Sequence, residues 1–87
     1  MSDDTAFEFP CQFPIKMMGL DTPEFRSTAR ALVEKHAGPV DDAAVRVTPS
    51  RTGRFVSVTV TFSAQSREQL DRLYREVTAH DAVLVAL

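Results

Sequence analysis

Cysteine occurs once, as Cys11, so no disulfide can close within the chain and a packed core must hold the fold. Glycine occurs three times, at Gly19, Gly38 and Gly53, each standing alone, which removes a glycine-rich phosphate loop. An excess of positive charge is also missing. Ten Lys and Arg against twelve Asp and Glu leave a net charge of -2, so there is no general attraction to nucleic-acid backbones or anionic membranes. No apolar run approaches the ~20 residues needed to cross a bilayer. The opening Met-Ser-Asp-Asp-Thr has neither the basic nor the apolar region of a secretion signal. The expectation is a cytoplasmic protein with no membrane association.

What is present is enough for one domain. A chain of 87 residues buries roughly 60 to 65% of its unfolded surface and has no material for a second core. The organising stretch is Gly53 to Ser63, where Val56, Val58, Val60 and Phe62 alternate with Phe55, Ser57, Thr59 and Thr61. That period of two describes a central strand with one apolar face and one mostly hydroxylated face. Residues 1–8 read as a flexible tail whose Phe7 can tuck against the domain, and residues 9–87 as the single domain.

Along that domain, Phe13 to Met18 reads as the first strand. Gly19-Leu20-Asp21-Thr22-Pro23-Glu24 then combines a cap, an N-terminal proline and a first-turn acid, so a helix follows to about Ala37. Phe25, Ala29, Leu32 and Val33 form its apolar stripe, Arg26 and Arg30 fall on its solvated face with Glu34 in pairing range, and Gly38-Pro39 stops it. Val45 to Ser50 is an edge strand because it contains Pro49, and Ser50-Arg51-Thr52-Gly53 turns it into the central strand. Ser66-Arg67-Glu68-Gln69 fits a capping box, opening a second helix to about Ala79 with Leu70, Leu73, Tyr74 and Val77 on one stripe. Asp81 to Leu87 closes the chain as a strand with Val83, Val85 and Leu87 alternating with small or apolar partners.

The order strand, helix, strand, strand, helix, strand predicts an α+β, ferredoxin-like βαββαβ two-layer sandwich. Its antiparallel sheet has the order 4-1-3-2, with both helices on one face. This topology sends Gly19 to Thr22, the Ser50 to Arg54 turn and His80 to one rim, and Cys11, His36 and Ser63 to the other. His36 and His80 therefore cannot share a metal or a proton, and each reads as a cation at a helix C-terminus. Neither has a metal-ligand neighbour, and Cys11 lacks an activating partner, so no catalytic set, metal or cofactor is expected.

Two surfaces remain as candidates. The turn after the first strand can aim backbone amides at a small anion, with Gly19, Leu20, Asp21, Arg51 and Arg54 around it. The alternative for Gly19 is a tight turn that needs positive φ. The second surface is the uncovered sheet face, shared by Lys16, Arg46, Thr48, Phe55, Ser57, Thr59 and Thr61. A sheet that stacks RNA bases would carry more aromatics than Phe55 alone, which disfavours nucleic acid.

Phe9-Pro10, Phe13, Lys16-x-Met18-Gly19, His36-Ala37, Pro49-Ser50-x-x-Gly53, Ser57-Val58, Leu73-Tyr74-x-Glu76 and Leu87 resemble the YbeD-like family of small bacterial proteins of unknown function. The resemblance covers residues 7–87. It implies the ferredoxin-like topology and a similarity in shape to ACT regulatory domains, which bind amino acids beside metabolic enzymes. Some family members carry the name of lipoate regulatory protein, which supplies no mechanism. The polar sheet face, the amides near Gly19 and the lack of a catalytic set lead to the expectation of a non-enzymatic regulatory or adaptor protein, a homodimer or the partner of an enzyme, taking a small anionic metabolite or that enzyme at the Gly19 loop or the open sheet. With no catalytic domain in the chain, a signal would have to pass to another protein. An RNA-binding module on the open sheet face is the alternative.

Overall fold

The computed structural model describes residues 8–87. The elements are β1 (Cys11–Leu20), α1 (Pro23–Ala37), β2 (Val45–Pro49), β3 (Phe55–Ala64), α2 (Arg67–Ala79) and β4 (Val85–Ala86), with a short 3-10 turn at Asp42–Ala44 before β2. The sheet order is β2-β3-β1-β4, all neighbours antiparallel, which is the expected 4-1-3-2 read from the other edge. The expected tail, with Phe7, falls almost wholly outside the described residues; Glu8 is exposed.

β1 and β3 form the spine through ten consecutive pairs, from Cys11↔Ala64 to Leu20↔Phe55. β1 is thus longer than Phe13 to Met18 at both ends, because the full length of β3 is available to pair with it. It also holds Pro14 in a central strand. The Asp21 N–H bonds Arg54 O across the pair, so odd residues of β1 turn their polar groups to β3 and even ones to β4. β4 reaches only to the level of Lys16, leaving the missing N–H of Pro14 beside no strand.

The alternation in β3 places Val56, Val58, Val60 and Phe62 under the helices, each at most 4% exposed. Ile15, Met17, Phe25, Ala29, Leu32, Val33, Ala64, Leu70, Leu73, Val77 and Val83 pack with them in the core. Both helices begin with a side-chain cap. Thr22 Oγ1 accepts from Phe25 N–H at 3.0 Å, and Ser66 Oγ accepts from Gln69 N–H at 3.1 Å. α1 ends at Gly38, whose φ of +84° with an extended ψ of 177° favours glycine.

Three local expectations are corrected. The capping box is not reciprocal: Gln69 Oε1 accepts from Gln65 N–H at 2.7 Å instead of reaching Ser66, and its Nε2 donates to His36 O at 2.9 Å, tying α2 to the end of α1. Arg30 is not on a purely solvated face. It bonds Asp42 at 2.6 Å, Glu34 at 3.3 Å and Val40 O, while Glu34 accepts the Val40 N–H at 3.0 Å, so one turn of α1 clamps the loop to β2.

The third concerns β4, expected over Asp81 to Leu87 and found over Val85–Ala86; Val83 is buried, while Val85 and Leu87 are 45% and 65% exposed. Leu84 N–H bonds Met18 O, and the ladder resumes with reciprocal bonds between Leu87 and Lys16 at 2.8 and 3.1 Å. Val85 is thereby paired with Met18, a residue of the open face, and Ala86 takes the inner position beside Met17.

Candidate functional site

The strand register sets Lys16 beside Thr59, Thr59 beside Arg46, and Ser57 beside Thr48 on the face away from the helices. Phe55 and Thr61 lie on that face of β3, both half-buried. All seven residues assigned to the open sheet from sequence are therefore brought together. The periodicity of β3 alone carried most of that result, since a side chain opposite a buried valine must face out.

The same register adds four residues to that set. Met18 and Leu20 continue the outward positions of β1, and Val85 and Leu87 continue them across β4. Leu20, Val85 and Leu87 are each at least 45% exposed. The open face is thus divided into a hydroxyl-rich cationic half on β2 and β3 and an apolar half on β1 and β4, with Lys16 between them. Among the described residues, none of its strand positions holds a carboxylate. For β4, the signal was hidden by the shift in phase after Val83; for Met18 and Leu20 the signal was the plain alternation with Lys16.

The loop after β1 has a different character. Gly19 lies within β1, and positive φ occurs among glycines only at Gly38 and Gly53. A Cβ at Gly19 would lie 2.5 Å from Ala82 O and 2.7 Å from the Phe25 ring, so close packing excludes a side chain there. The tight-turn explanation for this glycine is corrected accordingly. The Asp21 amide donates to Arg54 O at 3.0 Å, the Phe25 amide is capped by Thr22, and Pro23 has no N–H, so much of the turn's donor capacity is used within the chain. Asp21 Oδ1 takes the Arg26 guanidinium at 2.8 Å. Arg54 lies 6.0 Å from the centre of the Phe55 ring, at the outer reach of a cation–π contact, and Arg51 is exposed in the hairpin turn.

Beside this loop is a hollow of about 180 Å³ lined by Leu20, Thr22, Phe25, Asp81, Ala82 and Leu84. Its walls are mostly aliphatic or aromatic, and the Asp81 carboxylate stands at its margin. An anion at this rim would meet Asp21 and Asp81 as well as any amide.

The histidines make contacts unlike the helix-end role expected of them. His36 Nε2 lies 2.7 Å from Glu76 Oε1, while Glu76 Oε2 accepts from Lys35 Nζ at 2.9 Å, an ion cluster between the helices. Lys35 first, and His36 second, hold the Glu76 carboxyl below the usual carboxylate range. The Val40 amide, helped by Arg30, does the same to Glu34. His80 Nδ1 accepts the Ala82 N–H at 3.1 Å and so shapes the turn into β4. Cys11 is half-buried against the core. Among the described residues, no three His, Cys, Asp or Glu side chains gather to hold a metal, and no helix is long and apolar enough to cross a membrane.

Comparison with known proteins sets this surface in context. The chain is similar to a UPF0250 protein of Paraburkholderia phytofirmans, 46% identical over 85 residues that cover 98% of this chain and 96% of the relative. A UPF0250 protein of Chromobacterium violaceum is 43% identical over 89 residues, with both chains fully covered. The solution structure of HP0495 from H. pylori superposes with a TM-score of 0.75 at 18% identity, covering 100% of this chain and 94% of that one, which supports the shared fold. A family model described as a protein of unknown function, DUF493, matches residues 4–87, and the chain belongs to that family of YbeD-like proteins.

Proposed function

We propose that the protein is a non-enzymatic regulatory or adaptor module that docks an acidic, partly apolar partner protein on its open sheet. One observation carries the reading. The face away from the helices sets Lys16 and Arg46 beside exposed Leu20, Val85 and Leu87, with no carboxylate at its strand positions. Apolar burial supplies affinity, and cations among hydroxyls select a partner of opposite charge.

The sheet is favoured over the Gly19 loop as the contact, because the loop's amides are engaged internally and acids flank its hollow. A small anionic metabolite at Gly19, Leu20, Asp21, Arg51 and Arg54 is the weaker form of the proposal, since Asp21 already neutralises Arg26 there.

The test places a photo-crosslinking residue in the cell at Thr59, on the open sheet, or at Asp71, exposed on α2. Thr59 is expected to give a discrete protein adduct that resists nuclease and disappears when Lys16→Glu and Arg46→Glu are added. Equal adducts from Asp71, or adducts destroyed by nuclease, count against the reading, and the second result indicates RNA.

A further inference from the structure

The two edges of the sheet are built differently. On β2 the residues whose polar groups point outward are Val45, Val47 and Pro49, since Arg46 and Thr48 face β3. Val45 N–H is used by Asp42 O and Pro49 has none, which leaves Val47 as the sole outward donor of that strand. This is the blunting expected of an edge that must not pair with another chain.

β4 has no such protection. Ala82 to Leu87 contains neither proline nor charge. Leu87 directs both its N–H and its C=O to Lys16, so strand alternation turns the N–H and C=O of Ala86 outward. Around them cluster Leu20, Leu84, Val85 and Leu87, four of the five exposed large hydrophobic residues among those described; the fifth, Val47, is on the other edge.

We infer that the protein forms a two-fold dimer in which β4 pairs antiparallel with β4 of a second copy, making one continuous eight-stranded sheet. The sequence of this edge is complementary to itself. An axis through Ala86 lets its N–H and C=O bond the same groups of the mate. Val85 of each copy then covers Leu87 of the other, the isologous arrangement a two-fold axis demands. Alanine at the centre offers no side chain large enough to hold the strands apart.

Charge also selects this geometry. Stacking two open faces would bring Lys16 and Arg46 toward the cations of the mate, whereas Ala82 to Leu87 carries no charged side chain. The stripe of α2 bordering it, reached through the bond from Tyr74 OH to Leu87 O, carries one base, Arg67, and one acid, Asp71. The dimer leaves the cationic half of the open sheet exposed but shares Val85 and Leu87 with the docking face, so docking is read from the Thr59 adduct and the dimer from mass alone.

Sedimentation of the full chain from micromolar to near-millimolar concentration tests the inference. A species of twice the chain mass is expected, converting to the single chain in Ala86→Pro, which removes the outward N–H, and in Val85→Lys. Val47→Lys, on the opposite edge, is expected to remain dimeric, and circular dichroism identifies any variant that fails to fold. The Ala86 amide is expected to be protected from hydrogen exchange at high concentration and released on dilution. A single-chain mass at every concentration overturns the inference, as does an Ala86→Pro or Val85→Lys protein that stays folded and dimeric.

Discussion

Gly19→Ala tests how the loop beside β1 is constructed. The added Cβ would lie 2.5 Å from Ala82 O and 2.7 Å from the nearest Phe25 ring carbon, where ordinary contact starts near 3.4 Å. Subtraction gives retreats of 0.9 Å for the carbonyl and 0.7 Å for the ring. Neither neighbour yields easily. Phe25 is 2% exposed in the core, and Ala82 sits in a turn fixed by the His80 ring and the Leu84–Met18 bond.

Overpacking of this kind costs about 1–3 kcal/mol, and a backbone obstacle puts Gly19→Ala at the upper end. The 0.5–1 kcal/mol that alanine usually gains over glycine in a strand offsets part of it, leaving roughly 2–2.5 kcal/mol. For a domain of this size that is a fall in Tm of about 10–20 °C. Gly53→Ala is the control: its φ is +77° with nothing within 4 Å of the added carbon, so only backbone strain of about 1–2 kcal/mol applies. Urea and thermal melts of both variants, with Phe25→Leu added to Gly19→Ala to relieve the ring contact, separate the two causes. A Gly19→Ala protein within 0.5 kcal/mol of the parent would refute the packing explanation; a Gly19→Ala cost that is unchanged in the Phe25→Leu background assigns the clash to the Ala82 carbonyl instead of the ring.

Three further outcomes follow from the contacts described. Gln69→Leu strands the Gln65 N–H and His36 C=O that it now satisfies, and a loss of about 1–3 kcal/mol is expected in denaturant melts; parental stability would show that water replaces the amide. The lowered carboxyls of Glu34 and Glu76 contribute stability that is complete above the unfolded-state range and is lost as pH falls below about 4.5. Melts from pH 6 to pH 3 should therefore be flatter for Glu34→Gln with Glu76→Gln than for the parent, and parallel curves would contradict that assignment. Lys16→Glu with Arg46→Glu is expected to leave stability within about 0.5 kcal/mol while weakening partner binding at least about tenfold, so a collapse in Tm would show that these side chains serve the fold instead.

The cap at Thr22, the stop at Gly38, the β2 proline and the alternation of β3 are relations among residues a few positions apart. Local conformational preference fixes such relations before any tertiary contact forms, and the single covered face of β3 was enough to select the layer arrangement and most of the cationic half of the open sheet. Gly19, Gln69 and Arg30 owe their roles to residues distant in sequence or to a neighbouring loop, and no local pattern distinguishes a glycine at a crowded crossing from one in a turn. The apolar half was hidden for the same reason. Val83, Val85 and Leu87 keep a perfect alternation in sequence, but which of them turns inward depends on the bonds that Leu84 and Leu87 make to β1, and that phase exists only once the two strands have met.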